Sequence, residues 1–360
     1  MTRIRQWVMT EPRKAMLVQT LQNNPLPPGE VLVRVVGCGV CHTDLAFFYE
    51  GVPTVKKAPL VLGHEVAGVV EAVGEGVALK RGQAVIVPAV LPCGTCELCL
   101  SGQGRICRAQ KMPGNHMDGG FASHVVVPGR FLCPVPQGEG ETLGDSGVGL
   151  PDLSVIADAV TTPLQAIENS GLARGDLAIF VGAGGIGGFG VQIARARGAT
   201  VVALEVNPRR RALAAEHGAS LVLDPSQEDP RTIKKAIQEL VKKEDLPRTG
   251  WKIFETSGKP KGQELAFSLL TFGATLCVVG YATLPVSVRL SNLMAYDARA
   301  IGNWGCLPEL YPVALDLVLS GAVKIAPYVE RFPMSSIGEV FERFHRGELD
   351  RRPVLVPDFD

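Results

Sequence analysis

The first third of the chain is patterned as short β-runs between glycine turns. Residues 31–36 (Val-Leu-Val-Arg-Val-Val) form an apolar run behind the turn signal Pro27-Pro28-Gly29-Glu30. Residues 66–73 and Ala84–Val87 are further β-rich runs, and Arg81-Gly82-Gln83 reads as a tight turn into the second. This texture continues to about residue 135 and predicts a β-rich first lobe.

From residue 153 the period changes. Residues 153–172 are largely helix-compatible, 176–181 form a short apolar strand, 188–197 a helix and 200–205 a second strand. A basic helix over 209–217, a strand over Leu221–Leu223 and a charged helix over 231–243 come next. Strands are expected at Lys252–Glu255, 275–279 and 300–301. This alternation predicts a parallel, doubly wound α/β sheet. An amphipathic helix over 309–320 and a strand–helix–strand tail over 325–360 return the chain to the first lobe.

Composition narrows the function. The chain has 360 residues, 46% hydrophobic and 20% charged, which suits two soluble domains. Its 36 basic and 36 acidic residues cancel, so no net field favours nucleic acid or an anionic membrane, and a small-molecule partner is expected. The N-terminus lacks the apolar core of a signal peptide and no run approaches a membrane span, so a cytoplasmic location is expected. Nine cysteines in a reducing compartment point to metal or chemistry rather than disulfides.

Three motifs carry the candidate chemistry. The stretch 37–44 (Gly-Cys-Gly-Val-Cys-His-Thr-Asp), with Gly63-His64-Glu65, offers a thiolate, an imidazole, a hydroxyl and carboxylates, the groups that hold a zinc ion and move a proton beside it. Cys93, Cys96, Cys99 and Cys107 have the spacing C-x2-C-x2-C-x7-C. Four thiolates that close repel and oxidise unless a cation holds them. A structural zinc closed by all four is expected, with an iron–sulfur cluster as the rival. The glycine-rich loop, and the absence of proline after Cys107, favour zinc.

The third motif is Gly182-Ala-Gly184-Gly-Ile-Gly187, flanked by a buried strand and a helix as a dinucleotide site requires. Gly182 makes the turn, Gly184 admits the pyrophosphate to the backbone, and Gly187 lets helix and strand approach. Glu205 ends the second strand, where its carboxylate would accept from ribose hydroxyls and repel a 2′-phosphate. That favours NAD over NADP. Arg209, Arg210 and Arg211 lie just beyond it and could accommodate such a phosphate; Arg210 is counted among the cofactor-binding residues.

Together with Asp118-Gly-Gly-Phe-Ala122 and Pro163-Leu-Gln-Ala166, these motifs resemble, in order and along almost the whole chain, the zinc-containing medium-chain alcohol dehydrogenase family. The resemblance implies a GroES-like β-rich catalytic domain over 1–155 and 307–360, with a Rossmann domain inserted over 156–306 and the site in the cleft between them. It implies two zinc ions per chain and a homodimer or homotetramer. Cys41 and His64 correspond to catalytic zinc ligands, with Asp158 in the place where many relatives carry a cysteine. Thiolate plus carboxylate still balance the dication. Asp44 would hold the other ring nitrogen of His64, and Glu65 corresponds to the carboxylate behind the zinc. Thr43 resembles the hydroxyl that passes the substrate proton outward, but Ala46 stands where many relatives continue that relay with a histidine. His42 resembles the residue that meets the pyrophosphate. Thr161, Thr162, Val181, Gly280 and Asn303 are placed near the nicotinamide. The implied reaction is oxidation of a secondary alcohol, with hydride passing to NAD.

Within that family the sequence, including Arg5-Gln6-Trp7, resembles the dehydrogenases of 6-hydroxycyclohex-1-ene-1-carbonyl-CoA in anaerobic aromatic (benzoyl-CoA) degradation. An acyl-CoA substrate is the expectation, although no motif alone specifies CoA. Lys56, Lys57 and residues 138–150 either border a phosphate-bearing substrate or form a solvated loop; Phe47, Phe48 and Tyr49 either wall a pocket or fill the core. A general alcohol or polyol dehydrogenase, an enoyl-thioester reductase and a non-enzymatic nucleotide-binding protein remain as alternatives.

Overall fold

A computed structural model describes residues 2–136, 143 and 147–359. Contacts divide the chain into two compact units. The first comprises Met1–Thr161, Gly305–Gly321 and Ile325–Asp360, and the second Thr162–Trp304 with Ala322–Lys324.

The first unit is β-rich. Its larger sheet runs Val329–Pro333, Arg352–Val356, Glu30–Gly39, Glu65–Val73, Ala84–Val87 and Cys133–Pro134, with His124–Pro128 also paired to Glu30–Gly39. The central strands read as near-continuous apolar runs because both faces are covered; Val31, Leu32 and Val33 are each fully buried. The expected tail is present as the strand Val329–Pro333, the helix Ile337–His345 and the strand Arg352–Val356. The last of these pairs antiparallel with Glu30–Gly39, Val354 opposite Gly39 and Leu355 opposite Cys38. The helix buries Ile337, Val340, Phe341 and Phe344 on one face. Phe341 meets Phe48 and Phe121 edge-on, with both pairs of ring centroids 5.6 Å apart. Phe47 and Phe48 are therefore core residues.

The N-terminal hairpin, Arg3–Met9 against Leu17–Gln22, has no counterpart among the elements expected from sequence. Every residue of Leu17–Gln22 is exposed, so no alternation announces the strand. The stretch expected as one helix over 153–172 divides in two. A 3₁₀ run, Leu150–Ala157, ends at Asp158, and an α-helix occupies Thr161–Ser170.

The second unit is a six-stranded parallel sheet ordered Leu221–Leu223, Thr200–Leu204, Leu177–Val181, Lys252–Glu255, Thr275–Val278 and Arg299–Gly302. The order reverses at Leu177–Val181, which lies between the second and fourth strands of the unit and delivers the glycine loop at its C-terminal end. The helix Pro230–Lys243 buries Ile233, Ile237 and Val241 at helical spacing. Asp229 caps it by accepting from the amides of Arg231 and Thr232. Among the described residues no helix is long and apolar enough to cross a membrane.

Phe341→Ala leaves a cavity between the C-terminal helix and the sheet. It is expected to cost about 3–5 kcal/mol, read from urea unfolding, whereas truncation of exposed Leu17 should cost under about 0.5 kcal/mol.

Candidate metal centres and dinucleotide loop

The opening cysteine motif folds into a strand end and a single helical turn. Glu30–Gly39 runs into Val40 and Cys41, and His42–Leu45 forms the turn. Asp44 organises the surrounding backbone. It is fully buried, and its Oδ2 accepts from the amide of Cys41 at 2.9 Å. Its Oδ1 accepts from the amide of Gly63 at 3.1 Å and lies 3.3 Å from His64 Nδ1. One carboxylate therefore ties the Cys41 and His64 segments together and turns the imidazole Nε2 the other way.

On that side stands Asp158, its Oδ2 3.7 Å from both Cys41 Sγ and His64 Nε2. The stretch that carries it reaches this position because Gly37 lacks a side chain; a Cβ there would stand 2.5 Å from the Pro151 carbonyl oxygen. Glu65 completes a set in which one donor atom from each of Cys41, His64, Glu65 and Asp158 lies within 4.8 Å of the others. A tetrahedral zinc with ligands at about 2.0–2.3 Å sets its donors about 3.3–3.8 Å apart, so the thiolate, imidazole and aspartate fit the ion. Thr43 Oγ1 is 3.7 Å from Cys41 Sγ. Cys38 stays out of the set. Its thiol is fully buried against the Gly39 carbonyl, and burial, with Asp44 adding to it, pushes its pKa well up.

Glu65 is fully buried and opposite Gly39 in the sheet register. A Cβ on Gly39 would fall 2.1 Å from Glu65 Oε2, so only glycine leaves the carboxylate room. Oε1 accepts from the buried guanidinium of Arg352. Oε2 has no hydrogen-bond partner among the described residues. Burial pushes Glu65 up to about 7 against the opposing pull of Arg352, while burial of His64 is outweighed by the Asp44 charge, which raises the imidazole. A buried oxygen left without a hydrogen-bond donor, beside a set of metal-binding atoms, suits a carboxylate that serves a cation.

The four-cysteine loop forms a second cluster. Sγ separations are 3.5 Å for Cys96–Cys99 and Cys93–Cys107, 3.7 Å for Cys96–Cys107 and 3.9 Å for Cys93–Cys99. Four thiolates at about 2.3 Å from a tetrahedral zinc would be about 3.8 Å apart. Hydrogen bonds from Thr95 pull Cys93 down to about 5, whereas desolvation and the neighbouring sulfurs push Cys99 up to about 12. Without a cation the sulfurs share protons, since all four cannot ionise side by side.

In the second unit, Gly182 turns at φ 94°. Gly187 packs so closely that a Cβ would stand 1.9 Å from the Gly182 carbonyl oxygen. A Cβ on Gly184 would meet only the Arg210 guanidinium, at 3.4 Å. Glu205 is buried at the end of its strand; Oε2 accepts from the amide of Ala183 at 2.7 Å and Oε1 from that of Asn207 at 2.9 Å. Gly280 lies against the turn after Lys252–Glu255, where a Cβ would meet the amide nitrogen of Gly258 at 2.2 Å. Asn303 donates to the Thr162 carbonyl at 3.3 Å and accepts from Asn169 at 2.8 Å. His42, in the first unit, is exposed, its ring 4.9 Å from that of Phe344.

Lys56 pairs with Asp118 at 2.5 Å and Lys57 donates to the Thr54 carbonyl at 3.3 Å. Of the stretch 138–150, residues 138–142 and 144–146 lie outside the described residues. Two groups could not be picked out from sequence. Thr256 binds the Gly182 carbonyl at 2.7 Å, and Arg352 reaches Glu65 from 287 residues away. Neither belongs to a local motif; the only signal for Arg352 is an arginine at the head of an otherwise apolar strand. Arg352→Met strands Glu65 as an unpaired buried carboxylate and is expected to cost about 3–5 kcal/mol in urea unfolding. A cost below about 1 kcal/mol would show that the pair is not what holds this carboxylate.

Comparison with known proteins agrees with this geometry. Residues 27–137 match the alcohol dehydrogenase GroES-like domain family and residues 185–320 the zinc-binding dehydrogenase family. An alcohol dehydrogenase of Geobacillus stearothermophilus is 32% identical over 354 residues, 97% of each chain. Galactitol-1-phosphate dehydrogenase of Escherichia coli superposes with a TM-score of 0.85 at 26% identity, covering 98% of this chain and 100% of that one. Acetophenone reductase of Geotrichum candidum, solved with NAD, gives 0.84 at 26% identity, covering 99% and 98%. With both family domains matched and both donor sets assembled, the chain belongs to the zinc-containing medium-chain alcohol dehydrogenases, oxidoreductases that act on CH–OH groups.

Proposed function

We propose that this protein oxidises a secondary alcohol to a ketone with NAD, holding one catalytic and one structural zinc per chain. The observation that carries the reading is the convergence of Cys41, His64 and Asp158 at zinc-ligand spacing beside an orphan oxygen of Glu65. A zinc ion held there supplies a Lewis acid for the alcohol oxygen. Asp44 keeps the His64 ring in one orientation and, through the Cys41 amide, fixes the thiolate. Glu65 and Arg352 set the charge behind the site, with Glu65 Oε2 left to approach the metal. Thr43 Oγ1 accepts the substrate's hydroxyl proton as it releases its own outward. Ala46 carries no group to pass it on, so the proton leaves through water or the cofactor ribose. Cys93, Cys96, Cys99 and Cys107 hold the structural ion.

For the cofactor, Gly182, Gly184 and Gly187 cradle the pyrophosphate and Glu205 selects NAD. A carboxylate offers about four acceptor positions. The amides of Ala183 and Asn207 occupy two of these on Glu205, which leaves two for ribose hydroxyls and a charge that repels a 2′-phosphate. Arg210, whose guanidinium lies beside Gly184, is assigned to a cofactor phosphate, and His42, by the resemblance, to the pyrophosphate. Gly280 and Asn303 are assigned to the nicotinamide end.

The substrate we propose is 6-hydroxycyclohex-1-ene-1-carbonyl-CoA, oxidised to the 6-oxo compound, on the resemblance of the whole sequence. A general secondary alcohol or polyol dehydrogenase is the second reading, favoured by the names of the alcohol dehydrogenase and galactitol-1-phosphate dehydrogenase relatives. The nine cysteines are all free thiols, which suits the cytoplasm. A homodimer or homotetramer is supported by the sheet-edge strand Arg299–Gly302 and by Leu290 and Met294, 68% and 78% exposed just before it.

Elemental analysis is expected to give two zinc ions per chain. Asp158→Ala should retain one and lose at least about 100-fold in kcat/KM; retention of both ions with full activity would remove Asp158 from the site. Glu205→Ser should narrow the preference for NAD over NADP by about 10-fold or more, from paired kcat/KM measurements. NAD reduction with the cyclic hydroxyacyl-CoA, set against simple secondary alcohols and polyols, decides the substrate.

A further inference from the structure

The returning C-terminal segment contributes a second buried polar group to the first unit besides Arg352. Tyr311 begins the helix Tyr311–Leu319 and is fully buried. Its hydroxyl donates to the Ala157 carbonyl at 2.5 Å and accepts from the Ala89 amide at 3.1 Å. Both the proton and an acceptor position are thus spent on backbone, on groups far apart in sequence. Ala157 is the last residue of the 3₁₀ run, and the next residue is Asp158, which leaves helical geometry at φ −140°, ψ −55°. Beyond it, Thr161 Oγ1 lies 3.5 Å from the Asp158 carbonyl oxygen.

We propose that Tyr311 is a positioning residue for the catalytic metal: by gripping the Ala157 carbonyl it sets the direction in which Asp158 presents its carboxylate to Cys41 and His64. The inference rests on the reading of Asp158 as a ligand and names what holds it there. A carboxylate ligand has one more rotatable bond than a cysteine and reaches the ion through either oxygen, so its backbone must be placed more strictly. Cys41 and His64 have Asp44 for that purpose. At Asp158 the peptide plane itself is pinned. The Ala89 amide, just beyond the strand Ala84–Val87, donates to the Tyr311 hydroxyl and, at 3.4 Å, to the Ala157 carbonyl as well, so the plane is tied to a strand paired in turn with Glu65–Val73. The donors on both sides of the site therefore share one rigid sheet. Burial, with the Cys306 thiol nearby, holds the phenol pKa well above its usual value, so the hydroxyl remains a donor across the working pH range.

Tyr311→Phe keeps the ring and deletes the hydroxyl. The zinc at the Cys41 site should then bind about 10- to 100-fold more weakly in chelator competition, and the visible spectrum of the cobalt(II)-substituted protein should shift. The four-cysteine ion should stay bound, which also reports that the variant is folded. Val318→Ala, a buried truncation on the same helix, measures general loosening. If Val318→Ala weakens the site as much as Tyr311→Phe, or if Tyr311→Phe leaves zinc affinity and the cobalt spectrum unchanged, the proposal fails. Asp158→Ala separates the two levels. If it retains the ion with wild-type affinity, the ligand reading itself falls. If it loses the ion while Tyr311→Phe does not, only the positioning role falls.

Discussion

Acidic groups gathered out of water repel one another, and each must be compensated where it sits. Cys41, Glu65 and Asp158 converge in the first unit, with Asp44 directly behind His64. Arg352 supplies one compensating charge, and a divalent ion held by the donor set would supply the rest. Even beside Arg352, burial pushes the Glu65 carboxyl up to about 7. The architecture of the unit reflects this requirement. Gly39 stays bare to seat the Glu65 carboxylate, and the final strand pairs at Gly39 and Cys38 so that Arg352 arrives beside it.

That arrangement makes the first unit depend on its own far end. The Glu65–Arg352 contact closes 287 residues of sequence, and Tyr311 reaches Ala157 across 154. Such closures are favourable only once the sheet they join has formed, because loop entropy must be met before the contact is rewarded. The second unit is built differently. Its strands and helices alternate along the chain, each strand lies beside sequence neighbours or one crossover away, and the glycine loop forms from one turn and the start of one helix. One unit can therefore be read by local pattern, and the other only in part.

What is shared between the units is the use of a carboxylate to order the backbone before any ligand arrives. Asp44 gathers the amides of Cys41 and Gly63, and Glu205 gathers those of Ala183 and Asn207. In each case the acid is buried and accepts from main-chain N–H groups, which keeps it in place at low cost.

Much of this was legible in the residues themselves. Cysteine spacing specified the four-thiolate loop, because four sulfurs within fifteen residues have few arrangements without a cation. Strand, glycine turn and helix in succession specified the dinucleotide loop, since a turn that bare has few other uses. Cys41, His64 and Asp158 could be matched to a family only by order along the chain; bringing Asp158 to 3.7 Å from each of the other two took the folded sheet. The exposed hairpin strand Leu17–Gln22 had no pattern to betray it, and the break at Asp158 lay inside a stretch whose apolar content suits a helix. Arg352 and Tyr311 carry no motif at all. Local sequence determined which groups this protein could offer to a metal and a dinucleotide. Tertiary structure alone decided which distant arginine and tyrosine hold them, because register and burial are set by pairing between strands and not by any neighbour along the chain.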